Sequence, residues 1–328
     1  MQRRDFIKGI AGSGAAWPLA ALAQQSGKLP IIGYLSQGTP EDTAAFVAAS
    51  REGLGSVGLT EGKDYTTELR WARNDVDRLP GLAAELVQDR VAVIVSIDTV
   101  PAVRAAKTAT AEIPIVFAVG TDPVKDGLVT SLNHPGGNIT GGSSMNLDIG
   151  GKLIGLLHEL LPTAKRFAVL VDPDNPSAAR SLITSTQQSA LELGLPTEFV
   201  FATNEEEIGA ALNGLGARAQ GLIVQPTVFF LQNRGKLSAL AIQEKLAALS
   251  SLPDFVKAGG LMGYGSSFVE THRQTGIYVG RILKGERPGD LPVQLATKFT
   301  FAINLKTAKA IGVDIPPTML ARADETVE

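Results

Sequence analysis

The 328-residue sequence contains no cysteine, three histidines and two tryptophans. Without cysteine there is no disulfide, thiolate metal site, iron–sulfur cluster or cysteine nucleophile. The histidines, His134, His158 and His272, stand far apart, so no His-rich metal spacing is present. Charge of either sign is scarce in excess: 30 Lys and Arg oppose 33 Asp and Glu, which leaves no basic footprint for nucleic acid. Past the amino terminus, no uncharged apolar run approaches the roughly 20 residues of a membrane span. Apolar side chains, in contrast, make up 44% of the chain, accompanied by 35 Gly and 18 Pro. Such a composition can bury a core against the ordering entropy and excludes a disordered chain. The length suits two domains.

At the amino terminus, Arg3-Arg4-Asp5-Phe6-Ile7-Lys8 precedes an uncharged run of small and apolar residues from Gly9 to Ala23, ending in Ala21-Leu22-Ala23. Paired arginines, a weakly apolar Gly/Ala-rich middle and an A-x-A site occur in that order. They resemble a twin-arginine export signal. Residues 1–23 are therefore expected to be cleaved after Ala23, and the rest to work in the periplasm. The absence of cysteine excludes a lipid anchor.

The remaining sequence alternates short apolar runs with segments of helical period. Strands are expected at Pro30–Leu35, Tyr65–Trp71, Val91–Val95 and Ile113–Val119, with helices at Pro40–Glu52, Leu79–Asp89 and Pro101–Ala111 between them. Continuous apolar runs mark strands covered on both faces, as in a parallel sheet with helices on each side. After the glycine-rich stretch Gly136–Gly142, expected as a crossing, the alternation restarts. Strands are expected at Arg166–Val171, Thr197–Ala202 and Gly221–Gln225, with helices near 176–193, 205–219 and 233–247. A second glycine-rich crossing is expected at Gly259–Gly265, then a helix near 267–284, a strand at Lys298–Asn304 and a helix at Leu305–Ile311. The fold class is thus α/β: two Rossmann-like lobes with parallel sheets, joined by several crossings into a hinged clamshell, with one large doubly wound sheet as the alternative. One lobe would comprise residues 24–140 plus about 266–292, the other 141–262 plus about 298–328.

Gly53-x-Gly55-x-x-Gly58 matches the dinucleotide fingerprint in letters only. A helix precedes it and a loop follows, whereas the motif needs a strand before and a helix after. Catalytic triad and phosphate-loop patterns also lack their required context. More informative are the polar residues that follow the expected strands, because open α/β sheets bind ligands beyond their strand carboxyl ends. These are Ser36 and Gln37, Asp98 and Thr99, Thr121 and Asp122, Asp172 and Asn175, and Gln225 and Thr227. Ser144, beside the first crossing, and Tyr264, in the second, complete the candidate ligand-binding set. Pro101 after Thr99 marks a helix amino terminus suited to a carboxylate, and Asp98 is expected to pair with a ligand cation. Tyr34, Phe117 and Phe229, with Tyr264, are candidates to stack on a planar ligand.

From Ala118 onward the chain resembles the family of bacterial ABC-transporter substrate-binding proteins with the type I periplasmic-binding fold, which includes aromatic amino-acid binders. The residues carrying this are Gly120-Thr121-Asp122-Pro123-Val124, Pro135-Gly136-Gly137-Asn138-Ile139-Thr140-Gly141, Ala258-Gly259-Gly260-Leu261-Met262 and Ile303-Asn304-Leu305-Lys306-Thr307-Ala308-Lys309-Ala310. The resemblance implies a non-enzymatic receptor that captures a small molecule, an amino acid or small carboxylate or aromatic compound, and delivers it to a membrane ABC permease. No cofactor, metal or nucleic acid is implied, and a monomer suits such a shuttle. An exported α/β enzyme, or a sensory receptor using the same clamshell, are the competing readings.

Overall fold

The structure, a computed structural model, describes residues 28–97 and 99–328. The expected export signal and Asp98 lie outside the described residues. The first lobe is built from β1 (Ile31–Ser36), α1 (Pro40–Ser56), β2 (Thr66–Trp71), α2 (Leu79–Gln88), β3 (Val93–Ile97), α3 (Val100–Ala109), β4 (Ile115–Val119) and β5 (Ile139–Ser143). The chain then crosses over. The second lobe comprises α4 (Gly150–Leu160), β6 (Phe167–Val171), α5 (Pro176–Glu192), β7 (Thr197–Phe201), α6 (Glu205–Leu212), β8 (Gly221–Val224), α7 (Val228–Gln232), α8 (Arg234–Gln243), β9 (Ala247–Ser250), α9 (Asp254–Lys257) and β10 (Met262–Gly265). A second crossing returns α10 (Phe268–Leu283) and β11 (Gln294–Leu295) to the first lobe. A third adds β12 (Thr300–Asn304), α11 (Leu305–Ile311), α12 (Pro317–Leu320) and β13 (Glu325–Val327) to the second.

The first sheet has the order β11-β5-β4-β3-β1-β2, all parallel. The second has the order β13-β12-β10-β9-β8-β6-β7, parallel except where β12 runs against β10. Central strands β3, β4 and β6 are buried at every position, because helices cover both faces. Leu35, Ile94, Ile115 and Phe117 face one way, onto α2 and α3. Ile32, Tyr34, Val93, Val95 and Val116 face the other, onto α1 and α10. Each such side chain contributes about 1.5–3 kcal/mol by leaving water.

Helices α1 and α10 touch backbone to backbone. A Cβ at Gly53 would stand 2.0 Å from the Arg273 carbonyl oxygen, and one at Gly276 would stand 1.9 Å from that of Ser50. This approach sets the depth at which the start of α10 enters the space between the lobes.

Several elements differ from the sequence expectation. Gly141 and Gly142 belong to β5, so the first crossing follows Ser143 rather than spanning Gly136–Gly142. A Cβ at Gly141 would come within 2.2 Å of the Phe117 carbonyl oxygen on β4. Its glycine therefore serves close strand packing, not hinge freedom. The segment expected as a second flexible crossing supplies β10. The single helix expected at 233–247 ends at Gln243, and Lys245, at φ 54°, turns the chain into β9. The helix expected at 205–219 stops at Leu212, and Gly214, at φ 69°, reverses into a short 3-10 turn. Of the false nucleotide motif, Gly53 and Gly55 sit inside α1, and Gly58, at φ 83°, lies just beyond its end.

Candidate functional site

Between the lobes, at the carboxyl ends of both sheets, lies a cavity lined by residues of both. The first lobe lines it with Gln37 and Gly38 beyond β1, Asn74 beyond β2, Thr99 beyond β3 and Ala118 to Gly120 at the end of β4. Phe46 of α1 and Phe268, Thr271 and His272 of α10 complete that wall. The second lobe contributes Asp172 and Asn175 beyond β6 and Pro226 to Phe229 beyond β8, while Leu147 comes from the first crossing.

The aromatic wall is ordered. The His272 ring stacks on Phe46 at 4.4 Å between centroids and 10° between planes, and Phe268 meets Phe46 edge-on at 6.2 Å. Phe229 faces them from the opposite lobe. Among the described lining residues no Lys or Arg occurs, and Asp172 is the only carboxylate. Burial pushes its pKa up to about 6, despite the Asp174 N–H at 3.0 Å and the Thr227 hydroxyl, which favour the charged form. No described cation pairs with it. A carboxyl group held in such a cleft with no partner of opposite charge either takes up a proton or pairs with a cationic group. Burial likewise pushes His272 down to about 4, so its imidazole is neutral at physiological pH. Gln37 offers a buried Oε1 with no partner, while its Nε2 donates across the cleft to the Asp174 carbonyl at 3.4 Å.

Five of the twelve residues expected to bind ligand line the cavity: Gln37, Thr99, Asp172, Asn175 and Thr227. Three of them are also helix N-caps. The Thr99, Asn175 and Thr227 side chains accept from Ala102, Ala178 and Phe230 N–H groups at 3.4, 3.3 and 3.3 Å. Strand-end polarity thus serves capping and lining at once.

Asp98 lies outside the described residues, and the other six are placed elsewhere. Ser36 Oγ accepts from the Gly38 N–H at 2.9 Å and holds the loop after β1. Thr121 donates to the Asp126 carboxylate, and Asp122 accepts from the Val124 N–H in a turn. Gln225 supports Asp172 from behind, its Oε1 accepting from the Asp172 N–H at 2.6 Å. The Ser144 carbonyl accepts from Ser266 Oγ at 2.9 Å, tying the first crossing to the second. Asn146 reinforces that tie through two bonds to the Ser266 backbone. Tyr264 does not line the cavity. It stacks on Phe299 at 5.9 Å, with Lys152 Nζ 5.5 Å from its ring centre, because β10 is a sheet strand rather than a free crossing. Of the stacking candidates, Tyr34 is in the core with its hydroxyl 3.0 Å from Ser50 Oγ, and Phe117 is buried toward α2 and α3. Only Phe229 reaches the cavity. Sequence reasoning missed Phe46, Phe268 and His272. They lie on helices rather than strand ends, and the i, i+4 spacing of Phe268 and His272 is the one signal that placed them on a shared face.

The lobes touch across this cleft. Ser177 at the start of α5 donates to Asp126 of the first lobe at 2.8 Å. Val228 and Leu231 of α7 pack against the first-lobe cluster that contains Phe46.

The sequence profile of the family described as ABC transporter substrate binding protein matches residues 43–327. A tyrosine-binding protein of Clostridioides difficile (strain R20291) is 27% identical over 261 residues, which is 79% of this chain and 74% of that protein. Among solved structures, a conserved domain protein from Vibrio cholerae O1 biovar eltor str. N16961 superposes with a TM-score of 0.82 at 28% identity. That match covers 91% of this chain and 100% of the other. An ABC domain from Streptococcus pneumonia in complex with L-Trp gives 0.79 at 23% identity, over 92% of this chain and 100% of that one. The profile spans most of the sequence and the two-sheet architecture agrees: this chain belongs to the ABC transporter substrate-binding protein family and has the type I periplasmic-binding fold.

Proposed function

We propose that this protein is a periplasmic receptor that captures an amino acid with an aromatic side chain in the interlobe cavity and passes it unchanged to an ABC permease. The observation that carries this reading is the buried Asp172 carboxylate, beside which no described cation stands, in a cavity lined by aromatic rings from both lobes. Asp172 takes the α-ammonium group, and the ring lies between Phe229 and the Phe46–Phe268–His272 wall. The amino end of α3, at Thr99, turns the positive end of its helix dipole toward the α-carboxylate. The relatives reported to bind tyrosine and L-Trp support the ligand class. Export through residues 1–23 by the twin-arginine route, cleavage after Ala23 and action as a monomer belong to the same proposal. Residues contributed by both lobes let the ligand stabilise the shut form by its differential affinity for it.

The direct test is thermal unfolding of the mature protein with L-tyrosine, L-tryptophan, sugars and small dicarboxylates. A ligand at a hundred times its Kd adds about 2.7 kcal/mol, which for a chain of this size is a rise of about 4 °C. A rise with a sugar and none with any amino acid would refute the assignment. Turnover of the bound compound, followed by chromatography, would instead favour an enzyme.

The Asp126–Ser177 bond joins the lobes without touching the cavity. Asp126→Ala is expected to speed ligand dissociation about fivefold, the equivalent of roughly 1 kcal/mol from one hydrogen bond made only when the lobes are shut. Stopped-flow fluorescence measures this, and an unchanged rate would show that Asp126 is no latch.

A further inference from the structure

Every polar group that a shut cleft buries needs a partner, and one remains unmatched on the aromatic wall. His272 is 3% exposed, and its Nε2 is buried with no hydrogen-bond partner. Its Nδ1 lies 2.7 Å from the Phe268 carbonyl oxygen one helical turn earlier. A carbonyl only accepts, so the Nδ1 carries the proton. The neutral ring then presents a bare lone pair at Nε2, on the side of the ring turned away from that carbonyl. Stacking on Phe46 fixes the ring plane, and the Nδ1 bond fixes its rotation. The residue is thus a rigid acceptor in the cavity wall, held by two independent contacts.

We propose that His272 is a specificity-determining residue that reads a hydrogen-bond donor on the ring of the bound amino acid. This rests on the aromatic amino-acid reading above and narrows it: a ring bearing an O–H or N–H is selected, and a ring of bare C–H edges is rejected. The physical reason is asymmetric. A donor on the ligand satisfies Nε2, whereas a plain phenyl ring leaves that buried acceptor without a partner. Asp172 does not supply this discrimination, because every amino acid carries the ammonium it faces. Gln37 Oε1, the other unpartnered acceptor of the lining, sits beyond β1 rather than on the aromatic wall and serves either group.

The test is titration calorimetry of the mature wild-type protein with L-tyrosine, L-tryptophan and L-phenylalanine. The expected result is that tyrosine or tryptophan binds about ten- to a hundredfold more tightly than phenylalanine, the usual consequence of a buried acceptor left unmatched. In His272→Phe, which keeps a ring to stack on Phe46, that ratio should collapse toward one. In His272→Gln, which restores an acceptor, part of the ratio should return. A merely structural role would lower all three affinities together and leave the ratio in place, and that result overturns the proposal. Equal wild-type affinity for phenylalanine and tyrosine also overturns it while leaving the aromatic amino-acid reading intact. If the wild type binds none of the three, the reading itself fails and this inference falls with it. The wild-type comparison stands even where a variant does not fold.

Discussion

Replacing Asp172 with Asn is expected to stabilise the ligand-free protein and nearly abolish ligand capture. The sign follows from the pKa. The carboxyl titrates near 6 in the folded protein because burial disfavours its charge, against 3.8 for the ordinary group. Between those values the folded state binds more protons than the unfolded one. Stability from this group is therefore greatest below about pH 4 and falls as pH rises through 6. At neutral pH the ionised group costs up to about 3 kcal/mol, from roughly two units at 1.36 kcal/mol each. Asn removes that cost while keeping an oxygen for the Asp174 N–H. Affinity moves the opposite way, because a ligand ammonium left unpaired in a shut cleft loses about 2–5 kcal/mol, or 30-fold to several thousandfold. Urea unfolding and calorimetry at pH 7.5 measure both quantities. In the wild type, affinity should rise with pH through about 6 while ligand-free stability falls, and both dependences should flatten in the variant. Lower ligand-free stability in Asp172→Asn, or undiminished affinity, would refute the assignment of Asp172 as the ammonium seat.

Gly276→Ala should be the most damaging single methyl group in the first lobe. Its Cβ would stand 1.9 Å from the Ser50 carbonyl oxygen and 2.7 Å from the carbonyl carbon, both backbone atoms of α1 that cannot rotate aside. The helices must separate, which opens the packing of Phe46, Leu54, Tyr278 and Val279. Overpacking of this kind costs about 1–3 kcal/mol and more where backbone is struck. The better helix propensity of alanine returns at most about 1 kcal/mol. A loss near 3 kcal/mol, or about 5 °C in Tm, is expected. Ligand affinity should fall as well, because α10 carries Phe268 and His272 into the cleft. Gly53→Ala strikes the Arg273 carbonyl oxygen from the other helix. Once the helices have moved apart the second methyl meets less resistance, so the double variant should cost clearly less than the sum. Gly55→Ala, on α1 with nothing within 4 Å, is the control and should be neutral or stabilising. A neutral Gly276→Ala would disprove the close approach.

Much of the fold was legible because both-face burial leaves a strong mark on sequence. The runs Val91–Val95, Ile113–Val119 and Arg166–Val171 read as covered strands, and their alternation with helical segments implied parallel sheets. Strands β5, β9 and β10 were not legible. Their sequences, Ile-Thr-Gly-Gly-Ser, Ala-Ala-Leu-Ser and Met-Gly-Tyr-Gly, are poor in β-branched residues. They are strands because they pair with neighbouring strands, and at Gly141 and Gly265 adjacent backbone leaves room for little more than a hydrogen. The same cause misplaced Tyr264: a glycine-flanked tyrosine looked like a hinge residue and is a strand residue packed on Phe299.

The candidate site divides along the same line. Gln37, Thr99, Asp172, Asn175 and Thr227 follow strands, and the rule that ligands sit beyond strand carboxyl ends reached them. Ser36, Thr121, Asp122 and Gln225 satisfy the same rule but turn toward loops and neighbours, a choice that side-chain direction makes and sequence spacing does not. The sequence by itself determined the α/β class, the two-lobe organisation and the family, since these follow from local hydrophobic period and from motifs read in order. Only the tertiary structure decided which polar groups face the cleft and that α10, far along the chain, supplies its aromatic wall. Contacts between Phe46 and His272 are set by the meeting of two helix backbones at Gly53 and Gly276, an event more than 200 residues apart in sequence.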